Sequence, residues 1–287
     1  MVDQAQNLRE LVRQYQKKAR VIAVTSGKGG VGKTSTSVNL AITLASRGGR
    51  VVLLDADLGL ANVEVLMGLS SMFNLEHVIE GQKRMTEILV KAPGGIELIP
   101  GSSGLSRMAD LPVQARQRVL EGIDDLQDET GFIVIDTMAG IGQNAVSFAT
   151  AADEVLLVTT PEPSAIVDAY AMLKTIYGLR KDSIVRLVVN MVGNQAQAKA
   201  VATKLANVSQ QYLGRNLSYL GCLPRDPHVS QAVMQSQPFT LIYPNSPAAK
   251  YMQVLASRLV HQPINAEPAR ESFLKRFAQT LGIASNA

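Results

Sequence analysis

The clearest chemistry in the chain lies in SGKGGVGKT, Ser26–Thr34. It contains G-x-x-x-x-G-K-T as Gly27, Gly32, Lys33 and Thr34, between an apolar run VIAVT and a helix-like run TSTSVNLAITLASR. Glycines let successive backbone N–H groups turn inward onto phosphate oxygens. A helix opening directly after them adds the partial positive charge of its N-terminus. In that setting Lys33 reaches the β- and γ-phosphates of a nucleoside triphosphate, and the Thr34 hydroxyl binds Mg²⁺. The expected phosphate-binding loop comprises Gly27, Lys28, Gly29, Gly30, Val31, Gly32, Lys33, Thr34 and Ser35.

Carboxylates complete such a site. LLDADLGLAN, Leu53–Asn62, ends a strand-like run in Asp55 and Asp57. Two apart in an extended segment, they share a face. One can hold the Mg²⁺ shell while the other positions the attacking water. FIVIDTMAGIG, Phe132–Gly142, ends an apolar run in Asp136, with Gly140 four residues on. Asp136 is expected to hold Mg²⁺ through water, and the Gly140 N–H to sense the γ-phosphate. Thr34, Asp57 and Asp136 form the expected metal set; Asp55, Asp57, Asp136 and Gly140 are the expected switch residues. Met138 is expected to put a bulky side chain beside that sensor.

These residues need a scaffold that gathers strand ends. Short apolar runs recur at Val21–Thr25, Val51–Asp55, Ile96–Pro100, Phe132–Asp136, Val155–Thr159, Arg186–Asn190 and Leu217–Gly221. Helical patterns fall between them at Thr34–Arg47, Val113–Leu126, Ser164–Leu179 and Gln195–Leu213. Strands so uniformly apolar are covered on both faces, as in a parallel sheet. The alternation predicts right-handed βαβ units and an α/β, doubly wound, mostly parallel sheet, with ligands at the carboxyl ends of the strands. The expected division is residues 1–19 as an N-terminal partner-binding segment, 20–261 as the nucleotide domain, and 262–287 as linker and C-terminal helix.

Composition narrows the classes. The chain has 287 residues, 28 Lys+Arg against 24 Asp+Glu, and 46% hydrophobic content, which excludes a disordered chain. No apolar run approaches the length of a spanning helix, and the first residues are too polar for a secretory signal peptide. The single cysteine, Cys222, excludes an internal disulfide and fits a reducing cytosol. It also falls short of the two thiolates per chain that a bridging iron–sulfur cluster in a two-fold dimer needs. Trp is absent and aromatics are 5%, so extensive base or sugar stacking is not expected.

Both tails carry amphipathic patterns. ESFLKRFAQTL puts Phe273, Leu274, Phe277 and Leu281 on one helical face, with Arg270, Lys275 and Arg276 around it. Such a helix is expected at a membrane surface, the alternative being a terminal helix docked on the core. Before Arg20, Leu8, Leu11, Val12 and Tyr15 recur at helical spacing, leaving Gln4 and Arg9 on the polar side.

The run KGGVGKT, with its leading lysine, resembles the signature of the MinD/ParA family of P-loop ATPases. The resemblance extends from about Arg20 to Leu259 through VTTPEPSAIVDAY, VVNMV and GCLPRDPHV. It implies ATP and Mg²⁺ as ligands, hydrolysis coupled to an ATP-held homodimer, and Lys28 reaching the partner chain's phosphates. Lys28, Lys33 and Asp57 are then the catalytic set, with Asp57 orienting the water. Asn190 would bond the adenine edge, with Pro224, Arg225 and Asp226 lining the base pocket. The C-terminal helix is similar to MinD's membrane-targeting helix. The stretch Asp3–Arg9 resembles the activator segment of the FlhG/FleN branch, regulators of flagellar number, which implies a partner role for Gln4, Leu8 and Arg9. The partners so implied are a flagellar signal-recognition-particle-type GTPase, an AAA+ flagellar transcription activator, basal-body components and the inner membrane. No sequence-specific nucleic-acid binding is expected, and the expected location is the cytoplasm, peripherally at the inner membrane, with a cell pole as one option. Cell-division MinD and ParA-type DNA partition are the alternatives.

Overall fold

The computed structural model describes residues 18–57, 62–101, 113–261 and 273–280. Eight strands form one sheet: β1 (Arg20–Ser26), β2 (Val51–Ala56), β3 (Val90–Ala92), β4 (Ile96–Ile99), β5 (Phe132–Ala139), β6 (Glu154–Thr159), β7 (Val185–Val192) and β8 (Ser218–Pro224). Their order is β3-β4-β2-β5-β1-β6-β7-β8. Every pairing is parallel except the edge hairpin β3–β4. That hairpin is the one strand pair the alternating pattern did not predict; β3 has three residues, too few to show a period.

Alternation along the strands builds two covered faces. Ile22 and Val24 of β1 join a core with α1 (Lys33–Ala45) and α10 (Pro247–His261). Val21 and Ala23 point to the other side, where α4 (Val113–Glu129), α5 (Gln143–Ala151) and α11 (Phe273–Thr280) lie. Farther along that second face, α6 (Pro163–Leu179) and α7 (Gln195–Leu213) cover β6, β7 and β8. The smaller helices are α2 (Asn62–Met67), α3 (Leu75–Ile79), α8 (Pro227–Met234) and α9 (Phe239–Ile242). Local signals set the ends of α7: the Asn194 side chain accepts from the Gln197 N–H, and Gly214 closes the helix at φ 62°. No helix among the described residues is long and apolar enough to cross a membrane.

The expected membrane face of the C-terminal helix is turned inward in this structure. Phe273 and Phe277 are each 1% exposed. The Phe277 ring lies 4.7 Å from that of Phe148 on α5. Arg276 Nε donates to the Ala151 carbonyl at 2.7 Å, and its Nη2 pairs with Asp153 at 2.6 Å. Asp153 in turn accepts from the Val21 N–H, which ties the helix to β1. Four residues apart, the two rings share one face, and docking removes both from water, worth about 2 kcal/mol each. Leu281, and the side chain of Leu274, lie outside the described residues.

This docking predicts that Phe277→Ala loosens α11 by about 3 kcal/mol, a roughly hundredfold rise in the undocked fraction. Amide exchange across residues 273–280 should accelerate to match while β1 and β5 keep their protection. Unchanged exchange would show that the ring does not hold the helix.

Candidate nucleotide site

The loop between β1 and α1 takes the shape its glycines allow. Gly30 and Gly32 stand at φ 77° and 82°, where only glycine is unstrained, and α1 begins at the next residue, Lys33. Gly27 is required for a different reason. A Cβ there would lie 2.0 Å from the Asp168 carbonyl oxygen of α6, so the loop can press on that helix only without a side chain. Val31 is buried in the core, and its carbonyl accepts from Asn190 Nδ2 at 2.8 Å. A cavity of about 410 Å³ opens above the loop, lined by Lys28, Gly29, Gly30, Gly32, Lys33, Thr34 and Ser35 together with Asp57.

Two strand ends bring carboxylates beneath it. Asp55 and Asp136 are register partners across β2 and β5, both fully buried. Burial, then the charge of Asp136, pushes the Asp55 carboxyl up to about 7. Asp55 accepts from the N–H groups of Asp57 and Val63. Asp136 Oδ1 accepts from Lys33 Nζ at 3.1 Å and from Ser37 Oγ at 2.8 Å. Its Oδ2 is buried with no hydrogen-bond partner among the described residues. Thr34 and Asp57 line the cavity, and Asp136 lies buried behind it against Lys33; together they offer oxygen donors of the kind that suits Mg²⁺. Asp57 is held in turn by Asn62 Nδ2 at 3.1 Å.

Three of the donors expected on phosphate are held by acceptors of the chain itself. Lys33 rests on Asp136. Lys28 Nζ donates to Glu162 at 2.8 Å and to Ser164 Oγ at 2.9 Å. The Lys28 ammonium accordingly draws the Glu162 carboxyl below its usual range. The Gly140 N–H donates to the Ser26 carbonyl at 2.8 Å, with Gly140 at φ 89°. Met138 does not stand beside that sensor. The pairing of β1 with β5 slips between Val24–Asp136 and Ser26–Ala139, leaving one extra residue on β5. The slip turns Met138 into the apolar cluster with α4 and α5, and Ala139 lines the cavity instead.

The residues expected around the base are not among those lining the cavity. Asn190 spends its amide on Val31 and on the Met191 N–H. Asp226 caps α8 through the His228 N–H and braces α10 through the Ala248 N–H. Pro224 is half-buried and Arg225 exposed. Conversely, the sequence reading passed over Asn62, Val65 and Val233, which line the cavity, and Glu162 and Ser164, which hold Lys28. Glu162 and Ser164 sit inside the TPEPS run, where a carboxylate beside a helix start was the available signal. Val65, Val233 and the neighbouring Met234 gave none: 67%, 47% and 79% exposed, they are apolar side chains left in water around the cavity mouth.

Comparison with known proteins matches this geometry. A family profile described as ParA, NUBPL iron-transfer P-loop NTPase, covers residues 17–260. The chain is 40% identical to the antiactivator FleN of Pseudomonas aeruginosa, over 91% of this chain and 94% of that protein. It is 35% identical to the flagellum site-determining protein YlxH of Helicobacter pylori, over 92% and 91%. Among solved structures, MinD in the MinC:MinD complex of Aquifex aeolicus superposes with a TM-score of 0.70 at 27% identity, covering 87% of this chain and 98% of that one. The iron transfer in the profile's description finds little footing here, since Cys222 is the sole cysteine and is buried. The P-loop, the carboxylates at adjacent strand ends and these relatives together make the chain a member of the MinD/ParA family of P-loop ATPases.

Proposed function

We propose that this ATPase is a dimerising switch that regulates flagellar number and placement and flagellar gene expression. The observation that carries it is the set of phosphate-directed donors held internally: Lys33 on Asp136, Lys28 on Glu162, and the Gly140 N–H on Ser26. ATP must exchange all three contacts to be bound and sensed, so nucleotide and conformation are linked by construction. Mg²⁺ would be held by Thr34, Asp57 and Asp136, where it neutralises charge on the phosphates. Lys33 supplies the cis cation, Asp57 orients the attacking water, and Lys28, released from Glu162, crosses to a second copy.

The apolar rim of Val65, Val233 and Met234 supports a second copy as the partner, because such side chains gain by being covered. The flagellar assignment is supported by the relatives at 40% and 35% identity and by the Asp3–Arg9 segment. Gln4, Leu8 and Arg9 lie outside the described residues; we assign them to a signal-recognition-particle-type GTPase, with the core serving an AAA+ transcription activator. The base would meet Asn190, Pro224, Arg225 and Asp226. Inner-membrane contact falls to α11, which must leave its groove first, since Phe273 and Phe277 are buried while it is docked.

Lys33→Ala should abolish ATP binding. Asp57→Ala should bind ATP, lose hydrolysis by at least about a hundredfold and accumulate as a dimer. Light scattering in ATP and in ADP reads this out; a single mass in both states would refute the switch.

Arg276→Gln should remove the latch on Asp153 and raise binding to anionic vesicles without nucleotide. Phe273→Glu should abolish vesicle binding. Cosedimentation that is the same in both variants would confine α11 to a packing role.

A peptide of residues 1–20 should stimulate the GTPase partner by itself, and Gln4→Ala should remove most of that effect. Turnover unchanged by the peptide would place the regulatory contact elsewhere.

A further inference from the structure

A second cavity of about 250 Å³ lies at the β8 edge of the sheet and shares no lining residue with the phosphate cavity. It sits between α7 and α10, lined by Gln195, Lys199, Tyr219, Cys222, Tyr251 and Arg258. A backbone irregularity shapes it. The register of β7 with β8 runs Leu187–Tyr219 and then Val188–Gly221, so Leu220 is an extra residue on the edge strand. Its carbonyl accepts from Arg258 Nη1 at 2.6 Å. A Cβ at Gly221 would lie 2.6 Å from Leu255 and 3.1 Å from that same Nη1, so the glycine makes room for the arginine. Bulges of this kind re-aim side chains near binding sites.

The charge around the cavity is unbalanced. From Ser183 to Asn265 the chain has seven Lys and Arg and one acid, Asp226. Both Asp226 oxygens are committed to backbone N–H groups of α8 and α10. No carboxylate lines the cavity to answer Lys199 and Arg258. The rest of the wall is aromatic or apolar, and Gln195 Nε2 fixes the Tyr251 hydroxyl at 3.0 Å. A hydrated inorganic anion gains nothing from that wall, and a neutral apolar molecule gains nothing from the two cations. The volume is below that of common cofactor pockets and suits one ring with one charged group.

We propose that this cavity binds a small aromatic anion, its ring against Tyr219 and Tyr251 and its phosphate or carboxylate between Lys199 and Arg258. The site stands on elements that also support the nucleotide loop: α10 shares a core with α1, and α7 follows the strand carrying Asn190.

The test uses the full chain saturated with Mg-ADP, so that the phosphate loop is filled, and phenyl phosphate as the probe. Ligand-observed NMR titration should give one site per chain, about tenfold tighter than for inorganic phosphate or benzyl alcohol. Lys199→Gln, an exposed position that leaves the fold alone, should weaken phenyl phosphate about fivefold with ADP affinity unchanged. Arg258→Gln should weaken it at least as much. Equal affinity for phenyl and inorganic phosphate, absence of binding, or indifference to Lys199→Gln would each overturn the proposal. So would displacement of the probe by a single-stranded oligothymidylate more effectively than by thymidine monophosphate, which would make the ligand a nucleic acid.

Discussion

Two carboxylates buried side by side, Asp55 and Asp136, set the terms for the rest of the site. They are register partners across adjacent strands, both fully buried. Burial disfavours the charged form of Asp55, and the neighbouring charge of Asp136 repels it, so the Asp55 carboxyl is pushed up to about 7. The chain answers with the nearest cation, Lys33, with the Ser37 hydroxyl, and with backbone N–H groups around Asp55. Lys33, the lysine proposed for phosphate, is thus part of the structure's own charge balance. A divalent cation brought with nucleotide would take over that balance and release Lys33 to the phosphates.

The same logic reaches outward. Lys28 on Glu162 and the Gly140 N–H on Ser26 are further donors that the resting chain satisfies for itself. The Lys28 pair is largely exposed and weak, so it yields readily. The contact from Gly140 joins the end of β5 to the end of β1, and α5 begins three residues later. A shift at Gly140 is therefore a shift at the start of the helix against which the Phe277 ring packs.

Much of this was legible in the sequence because it rests on short-range rules. SGKGGVGKT between a strand and a helix places the loop, and the extents of α1 and α7 follow, within a residue or two, from helical period. The apolar runs give seven of the eight strands; β3 is too short to carry a pattern. The direction of Met138 was not legible, because a one-residue slip between β1 and β5 inverts the side chain and depends on pairing across the sheet. Nor was the docking of Phe273 and Phe277: an apolar face with basic flanks suits a membrane and a core groove equally, and only tertiary packing chooses. The partners of Lys28 and the ring of exposed valines and methionine at the cavity mouth likewise arise from residues far apart in the chain.

α5 connects the Gly140 turn to the groove that holds α11. Nine residues span about 14 Å, a short stiff strut. One end follows Gly140; at the other, Arg180 takes the carbonyls of Thr150 and Ala152, and Arg276 takes that of Ala151. A strut held at both ends transmits in both directions. If, as proposed, ATP weakens the docking of α11 and a lipid surface takes it up, thermodynamic reciprocity returns the same free energy to ATP binding when α11 is held away. The bilayer would then act as an effector of nucleotide affinity, and a chain at the membrane would hold ATP more tightly than the same chain in solution.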